Sequence, residues 1–190
     1  MYISIVIGVT GCYLDAGHDV SNKYNQTKEY ISRVGKRLLI ISDSKKLNKI
    51  NIIFKFKNTT KSFINIDNNQ IIITKGILYY LEDEAELAAI LAIVLVSLDA
   101  KICSDFDERV INYLYKAGYD PMAFIGLQQE YLNNKSKKNN WLYAIFLNNS
   151  NNITKVTVNI NKQLASSLSR GTQRFEQRYR SNIQTLKKLD

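Results

Sequence analysis

Histidine, cysteine and proline are scarce in this chain: its 190 residues include one histidine, two cysteines and one proline. Because His18 is the single histidine, any site that needs two imidazoles is excluded. Cys12 and Cys103 are too few for a disulfide framework and form no CxxC pair, which excludes structural zinc held by cysteines. The sequence therefore predicts neither a bound metal nor a cofactor.

No apolar run is long enough to cross a bilayer, because the longest, residues 87–98, falls well short of about 20 residues. A shorter run ends in Val9-Thr10-Gly11-Cys12 and is similar to a bacterial lipobox, whose cysteine is acylated. The run lacks the preceding Lys or Arg of a signal peptide, so a buried N-terminal strand is an equal interpretation. Residues 1–12 are thus either a signal segment with a lipobox or a strand of the domain. If Cys12 is lipidated, we expect a periplasmic or membrane-anchored lipoprotein, and otherwise a cytoplasmic protein.

The net charge of +9 comes entirely from the last third of the chain. Residues 1–134 hold 15 Lys+Arg and 15 Asp+Glu, whereas residues 135–190 hold 11 and 2. Residues 161–190 are predicted to be a basic C-terminal helix. Basic side chains interleaved with aromatic ones suit a membrane surface or a nucleic acid, although no nucleic-acid motif accompanies them. The predicted basic patch consists of Arg170, Arg174, Arg178 and Lys188.

Hydrophobic periodicity predicts an α+β domain. Residues 13–27 are polar and predict a loop, which Thr27 ends as the N-cap of an amphipathic helix. The apolar face of that helix consists of Tyr30, Ile31, Val34, Leu38 and Ile41. Three short strands, in KINIIFKFKN, KSFINID and NQIIITKG, are predicted to form a meander with a turn at residues 67–69. A short helix, ILYYLED, follows Gly76.

The next segment, DEAELAAILAIVLVSLDAK, has an acidic start followed by an apolar run interrupted only by Ser97. A helix that is apolar on every side is buried all round, so this one is predicted to lie at the centre of the domain. Asp83 is predicted to cap it, with Glu84 and Glu86 suited to its N-terminal dipole.

Three further helices are predicted after this central helix. The first has Ser104 as N-cap and Gly118 as C-terminal signal, and the second is MAFIGLQQEYL. From Trp141 the chain is predicted to be helical to its end, with one break near residues 148–152.

Three stretches, YISRVGKRL, QIIITKGILYYLEDEAELAAILA and AGYDPMAF, resemble the HtpX-like family of zinc metallopeptidases. That family includes the prenyl-protein proteases and the periplasmic and lipoprotein peptidases of bacteria. The resemblance covers most of residues 29–160 and implies a metallopeptidase-like domain over residues 24–160. Its expected fold is a mainly helical, zincin-like domain with a small three-stranded sheet before the buried central helix.

In that family the central helix carries His-Glu-x-x-His, in which two imidazoles one turn apart hold zinc and the glutamate activates its water. The resemblance aligns the His, Glu and His of this motif with Ile93, Val94 and Ser97. It aligns the glutamate that is the third zinc ligand with Cys103, which lies four residues before Asp107. A later His-Pro pair falls on Asn149 and Ser150. A lone thiolate makes no zinc site, so the resemblance implies a pseudo-peptidase without catalytic residues.

Three functions follow as hypotheses. The first is a pseudo-peptidase with a protein-binding, regulatory or structural role, in which an edge strand pairs with an extended peptide; the resemblance assigns this strand to Ser62, Phe63, Ile64 and Asn65. The second is anion binding through the basic C-terminal segment. The third and least favoured is a hydrolase with Cys103 or Ser97 as nucleophile, for which only His18 could be the imidazole base.

Overall fold

The computed structural model describes residues 16–42, 44–99, 105–133 and 173–187, which form six α-helices and one three-stranded mixed sheet. The α+β class is therefore confirmed. The helices are α1 (Ala16–Ile41), α2 (Lys75–Tyr80), α3 (Glu84–Asp99), α4 (Phe106–Lys116), α5 (Met122–Asn133) and α6 (Glu176–Lys187). The strands are β1 (Ile53–Lys57), β2 (Ile64–Asp67) and β3 (Gln70–Thr74), and a 3-10 turn, Leu47–Lys49, precedes β1.

The apolar face predicted for α1 is confirmed, because four of its five residues are fully buried and Ile41 is half-buried. The start of the helix was predicted wrongly, since residues 16–27 are helical and not a loop. Thr27 is not an N-cap: it lies buried inside α1, where its hydroxyl donates to the Lys23 carbonyl at 3.0 Å.

A tertiary contact accounts for part of the extra length of α1. The ring of Tyr24 lies 6.0 Å, centroid to centroid, from the ring of Phe56 in β1, and its hydroxyl accepts a 2.6 Å hydrogen bond from Asn58. Polar composition alone predicts a loop here, whereas packing against the sheet stabilises a helix.

The sheet has the order β1-β3-β2, with β1 parallel and β2 antiparallel to β3. The predicted meander is therefore wrong, because β3 lies between the other two strands. The turn at residues 67–69 is confirmed: Asn68 and Asn69 have φ of 45° and 64°, the positive values of a type I′ hairpin turn. The segment between β1 and β2 does not turn tightly but passes over α2, where a Cβ on Gly76 would clash with the Thr60 carbonyl oxygen.

Helix α3 lies at the centre of the core, as predicted. Every residue from Leu87 to Val96 is buried, on all sides of the helix. Helices α1, α4 and α5 pack around it, and α6 contacts it as well. Asp83 caps it as predicted, because its Oδ1 accepts the Glu86 amide at 2.9 Å.

The predicted end of α4 is confirmed. Gly118 has φ +75° and donates to the Tyr115 carbonyl, while Tyr119 donates to the Leu114 carbonyl, both at 2.9 Å. This pair of bonds is the Schellman motif, in which glycine adopts the left-handed conformation without a Cβ clash. The predicted cap Ser104 lies outside the described residues, whereas the helix predicted in MAFIGLQQEYL is present as α5.

The C-terminal segment packs into the same core. Continuous helix was predicted here, but Gln173 forms a parallel bridge with Tyr119, and Phe175 has φ 56° before α6 begins. Tyr179, Ile183 and Leu186 of α6 are buried in the core cluster that contains α1 and α3. Helix α6 therefore contributes side chains to the same core as α1 and α3.

Other predictions fall outside the described residues, namely the lipobox at 1–12 and the helix from Trp141 with its break at 148–152. Among the helices that the structure describes, none is both long and apolar enough to cross a membrane.

Candidate functional site

The positions that the resemblance aligns with a zinc motif lie on the second half of α3. Ile93 and Val94 are only 1% and 4% exposed, packed in the core. Ser97, one turn after Ile93, is exposed, and its hydroxyl donates to the Ile93 carbonyl at 2.8 Å. Two aliphatic side chains and a hydroxyl offer no imidazole, thiolate or carboxylate, so these three residues do not fit a zinc site.

The remaining members of the aligned set are less informative. Asp107 is buried on α4, whereas Cys103, Asn149 and Ser150 lie outside the described residues. In the described ranges, no three side chains among His, Cys, Asp and Glu are grouped so that they could hold a metal ion. The side chain of His18 and all of Cys12 also lie outside the description.

Strand β2 lies at an edge of the sheet, with one side paired to β3. Ile64 and Asn65 belong to this strand, while Ser62 and Phe63 immediately precede it. Both main-chain groups of Phe63 bind the Thr74 hydroxyl, which accepts from its amide and donates to its carbonyl, each at 3.1 Å. Phe63 therefore faces β3 with its main chain and cannot pair outward.

The register shows which main-chain groups of β2 point away from the sheet. Asp67 pairs with Gln70 across the two-residue turn, and such a closing pair exchanges its hydrogen bonds inward. Because the direction alternates, Asn65 and Phe63 also point towards β3, in agreement with the Thr74 contacts. The amides and carbonyls of Ile64 and Ile66 consequently point outward, at the edge of the sheet that no other described strand pairs with.

A cluster of charged and polar side chains surrounds the start of α3. This cluster was not predicted from the sequence. The carboxylate of Glu84 is 2% exposed and accepts 2.9 Å hydrogen bonds from the hydroxyls of Tyr30 and Tyr119. Arg178 donates to the same carboxylate through Nε and Nη2, in a bidentate geometry. Burial, followed by the charge of Glu84, raises the pKa of both tyrosines, so their hydroxyls remain protonated donors.

Arg174 forms the other half of this cluster. It donates to Asp83, its Nη2 lies 3.3 Å from a Glu86 oxygen, and its Nη1 lies 3.7 Å from an Asp120 oxygen. Its carbonyl accepts the Ala85 amide at 3.2 Å, which satisfies one of the free donors at the start of α3. Two members of the predicted basic patch, Arg174 and Arg178, are thus engaged by carboxylates, while Arg170 and Lys188 lie outside the described residues.

One sequence signal could have indicated this cluster. The acidic start of α3 and the arginines at 174 and 178, four residues apart in the sequence, are complementary in charge. Their separation along the chain hid the pairing, because sequence patterns report neighbours within one element only.

Glu86 makes the stability of this cluster depend on pH. Burial raises its pKa from 4.5 to about 7, and Asp83 adds to the rise, although the Glu82 amide and Arg174 oppose it. A folded pKa above the unfolded one favours the neutral form in the native state. This contribution is therefore complete below about pH 4.5 and is lost as the pH rises through about 7.

We accordingly expect the Glu86 term to lower the free energy of unfolding by about 2 kcal/mol between about pH 5 and pH 8. Urea denaturation of wild type and Glu86→Gln at both pH values measures it, since glutamine removes the titration. Glu82→Gln, at an exposed neighbour whose charge makes the smallest contribution to the rise, is the matched control and should keep most of the pH dependence. An unchanged pH dependence in Glu86→Gln would show that this carboxyl has no raised pKa.

The chain matches no protein-family model, and no curated protein is significantly similar to it.

Proposed function

We propose that this protein is a catalytically inactive homologue of the HtpX-like zinc metallopeptidases, with a zincin-like fold, which binds extended peptide along β2. The single observation that carries the binding role is the outer edge of β2, where no strand among the described residues pairs with the main-chain groups of Ile64 and Ile66. Pairing through such groups requires no metal, so it persists without the peptidase chemistry.

Two further observations support the proposal. The sequence resemblance aligns the two histidines of the zinc motif with Ile93 and Ser97, which offer no imidazole, and Ile93 and Val94 pack as ordinary core side chains. The face of β2 that holds Ile64 and Ile66 is apolar, and Ile66 is 42% exposed, so a paired strand would cover apolar surface there. A bound peptide is therefore expected to place apolar side chains on that face.

The alternative of anion binding by the C-terminal segment receives less support. Arg178 is held by Glu84, and Arg174 lies among Asp83, Glu86 and Asp120, so neither guanidinium faces solvent alone. A ligand anion would have to displace a resident carboxylate at each of them.

The test is Ile64→Pro, which removes the outward amide while proline remains compatible with an edge strand. The probe is a fluorescein-labelled octapeptide of alternating valine and threonine, with binding measured by fluorescence anisotropy. Loss of one main-chain hydrogen bond should weaken binding about 3- to 10-fold. A probe that is N-methylated at alternate residues loses several main-chain donors, so its affinity for the wild-type protein should be lower than the affinity of the unmodified probe for Ile64→Pro.

Ile64→Thr is the matched control, because threonine is β-branched and keeps the amide. Both variants should have the wild-type circular dichroism spectrum before affinities are compared. Equal affinities of Ile64→Pro and Ile64→Thr for the probe would rule out pairing along β2.

A further inference from the structure

Three cations on the outer face of α1, Arg33, Lys36 and Arg37, have no carboxylate partner among the residues that the structure describes. All three are exposed, and no ion pair within the described part of the chain includes any of them. They contrast with Arg174 and Arg178, whose charges are neutralised by the start of α3. Among the described residues, α1 therefore carries positive charge that no carboxylate neutralises, and it lies outside the basic C-terminal segment, residues 161–190, that was predicted from the sequence.

The two arginines are held in place by aromatic rings. The Arg33 guanidinium lies 5.4 Å from the centroid of Tyr30, and that of Arg37 lies 5.0 Å from Tyr119 and 5.8 Å from Phe175. Stacking on a ring restrains the guanidinium and leaves its edge N–H groups free to donate to a carboxylate. These arginines therefore lose less side-chain entropy on binding than arginines that do not stack on a ring.

The same residues line a groove of about 520 Å³ along α1. Glu29 and Ser32 line one end, and Ile40 and Ile41 line the other. Ile40 is 83% exposed, the most exposed large apolar side chain among the described residues. At about 1.5 Å per residue, the groove from residue 29 to residue 41 is about 18 Å long.

We propose that this groove, the α1 groove, binds an acidic amphipathic helix of a partner protein. Carboxylates on successive turns of that helix would face Arg33, Lys36 and Arg37, and an apolar residue one turn further would cover Ile40. The spacing favours a helix, because the lining residues recur every three to four positions and a second helix has the same pitch.

The residues that line the groove favour a protein over a membrane. A membrane-surface helix presents a broad row of apolar residues, whereas Ile40 and Ile41, at one end, are the apolar residues among the described residues that line this groove. Glu29 at the opposite end would repel anionic headgroups there. A single partner helix can instead place its own cationic residue against Glu29.

The test measures binding of a fluorescein-labelled helical peptide with glutamates at i, i+3, i+4 and i+7 and a leucine one turn further. Lys36→Glu reverses a charge that takes part in no ion pair among the described residues, and it should weaken binding about 10-fold or more at low salt. Ile40→Ser should weaken it about 3-fold through lost apolar contact. Affinity should fall as salt rises, because the pairs are exposed.

Lys28→Glu is the matched control, since Lys28 is an exposed lysine on the same helix that does not line the groove. Equal weakening by Lys28→Glu and Lys36→Glu would overturn the proposal, because binding would then depend on net charge alone. Vesicles of phosphatidylserine and phosphatidylcholine provide a second arm. Stronger Lys36-dependent binding to vesicles than to the peptide would assign the groove to a membrane instead, and Lys36-dependent self-association in sedimentation would assign it to a second copy.

Discussion

Glu84→Gln should lower the free energy of unfolding by about 2–4 kcal/mol, a large fraction of the stability of a typical domain. The Glu84 carboxylate accepts from Tyr30, Tyr119 and both donors of Arg178 while almost fully buried. Glutamine has one acceptor oxygen, so its amide nitrogen would face groups that donate. Arg178 cannot reverse its role, since a guanidinium has no acceptor.

Urea denaturation followed by circular dichroism at constant pH measures this loss. Glu82→Gln removes the same charge from an exposed neighbouring residue and should change stability by less than about 0.5 kcal/mol. A double-mutant cycle with Tyr119→Phe should show coupling of about 0.5–3 kcal/mol. If Glu84→Gln were as stable as the control, the cluster would have no structural role.

Restoring the aligned zinc ligands should convert the protein into one whose stability depends on zinc. The variant carries Ile93→His, Val94→Glu, Ser97→His and Cys103→Glu, which places two imidazoles one turn apart on α3. Without metal we expect it to be unfolded or unstable, because Ile93 and Val94 are buried and each unsatisfied polar group there costs about 1–3 kcal/mol. Free zinc at about 1,000 times its Kd should recover about 4 kcal/mol.

The variant should be refolded with and without zinc, and bound metal counted by mass spectrometry. A version with Ile93→Ala in place of Ile93→His is the control, since it lacks one ligand and creates a similar disturbance in the core. A folded four-residue variant that bound no zinc would show that the alignment is wrong. One equivalent of zinc in the wild-type protein would defeat the pseudo-peptidase proposal itself.

The apolar run of α3 was decisive because a helix that is apolar on every side must be buried on every side, whatever packs around it. The type I′ turn at Asn68 and Asn69 and the Schellman end at Gly118 were predictable for a related reason: each depends on backbone conformations that few residue types adopt. The absence of a second imidazole excluded a two-histidine zinc site by composition alone.

The strand order could not be predicted from the same patterns. Each strand was located by its alternation, but alternation is identical for parallel and antiparallel neighbours. The position of β3 between β1 and β2 depends on the path of residues 58–63 over α2, where Gly76 admits the Thr60 carbonyl. The outward direction of the Ile64 and Ile66 amides follows from that register and from the hairpin turn.

The sequence by itself determined the α+β class, the buried central helix, its acidic cap and the lack of ligating atoms at Ile93, Val94 and Ser97. These properties depend on residue type and on spacing within one element. Only the tertiary structure decided where the charges act: it places Arg174 and Arg178 on Asp83 and Glu84, about 90 residues away in the chain, and leaves Arg33, Lys36 and Arg37 exposed. Ion pairing depends on distance in space, which local sequence patterns do not encode.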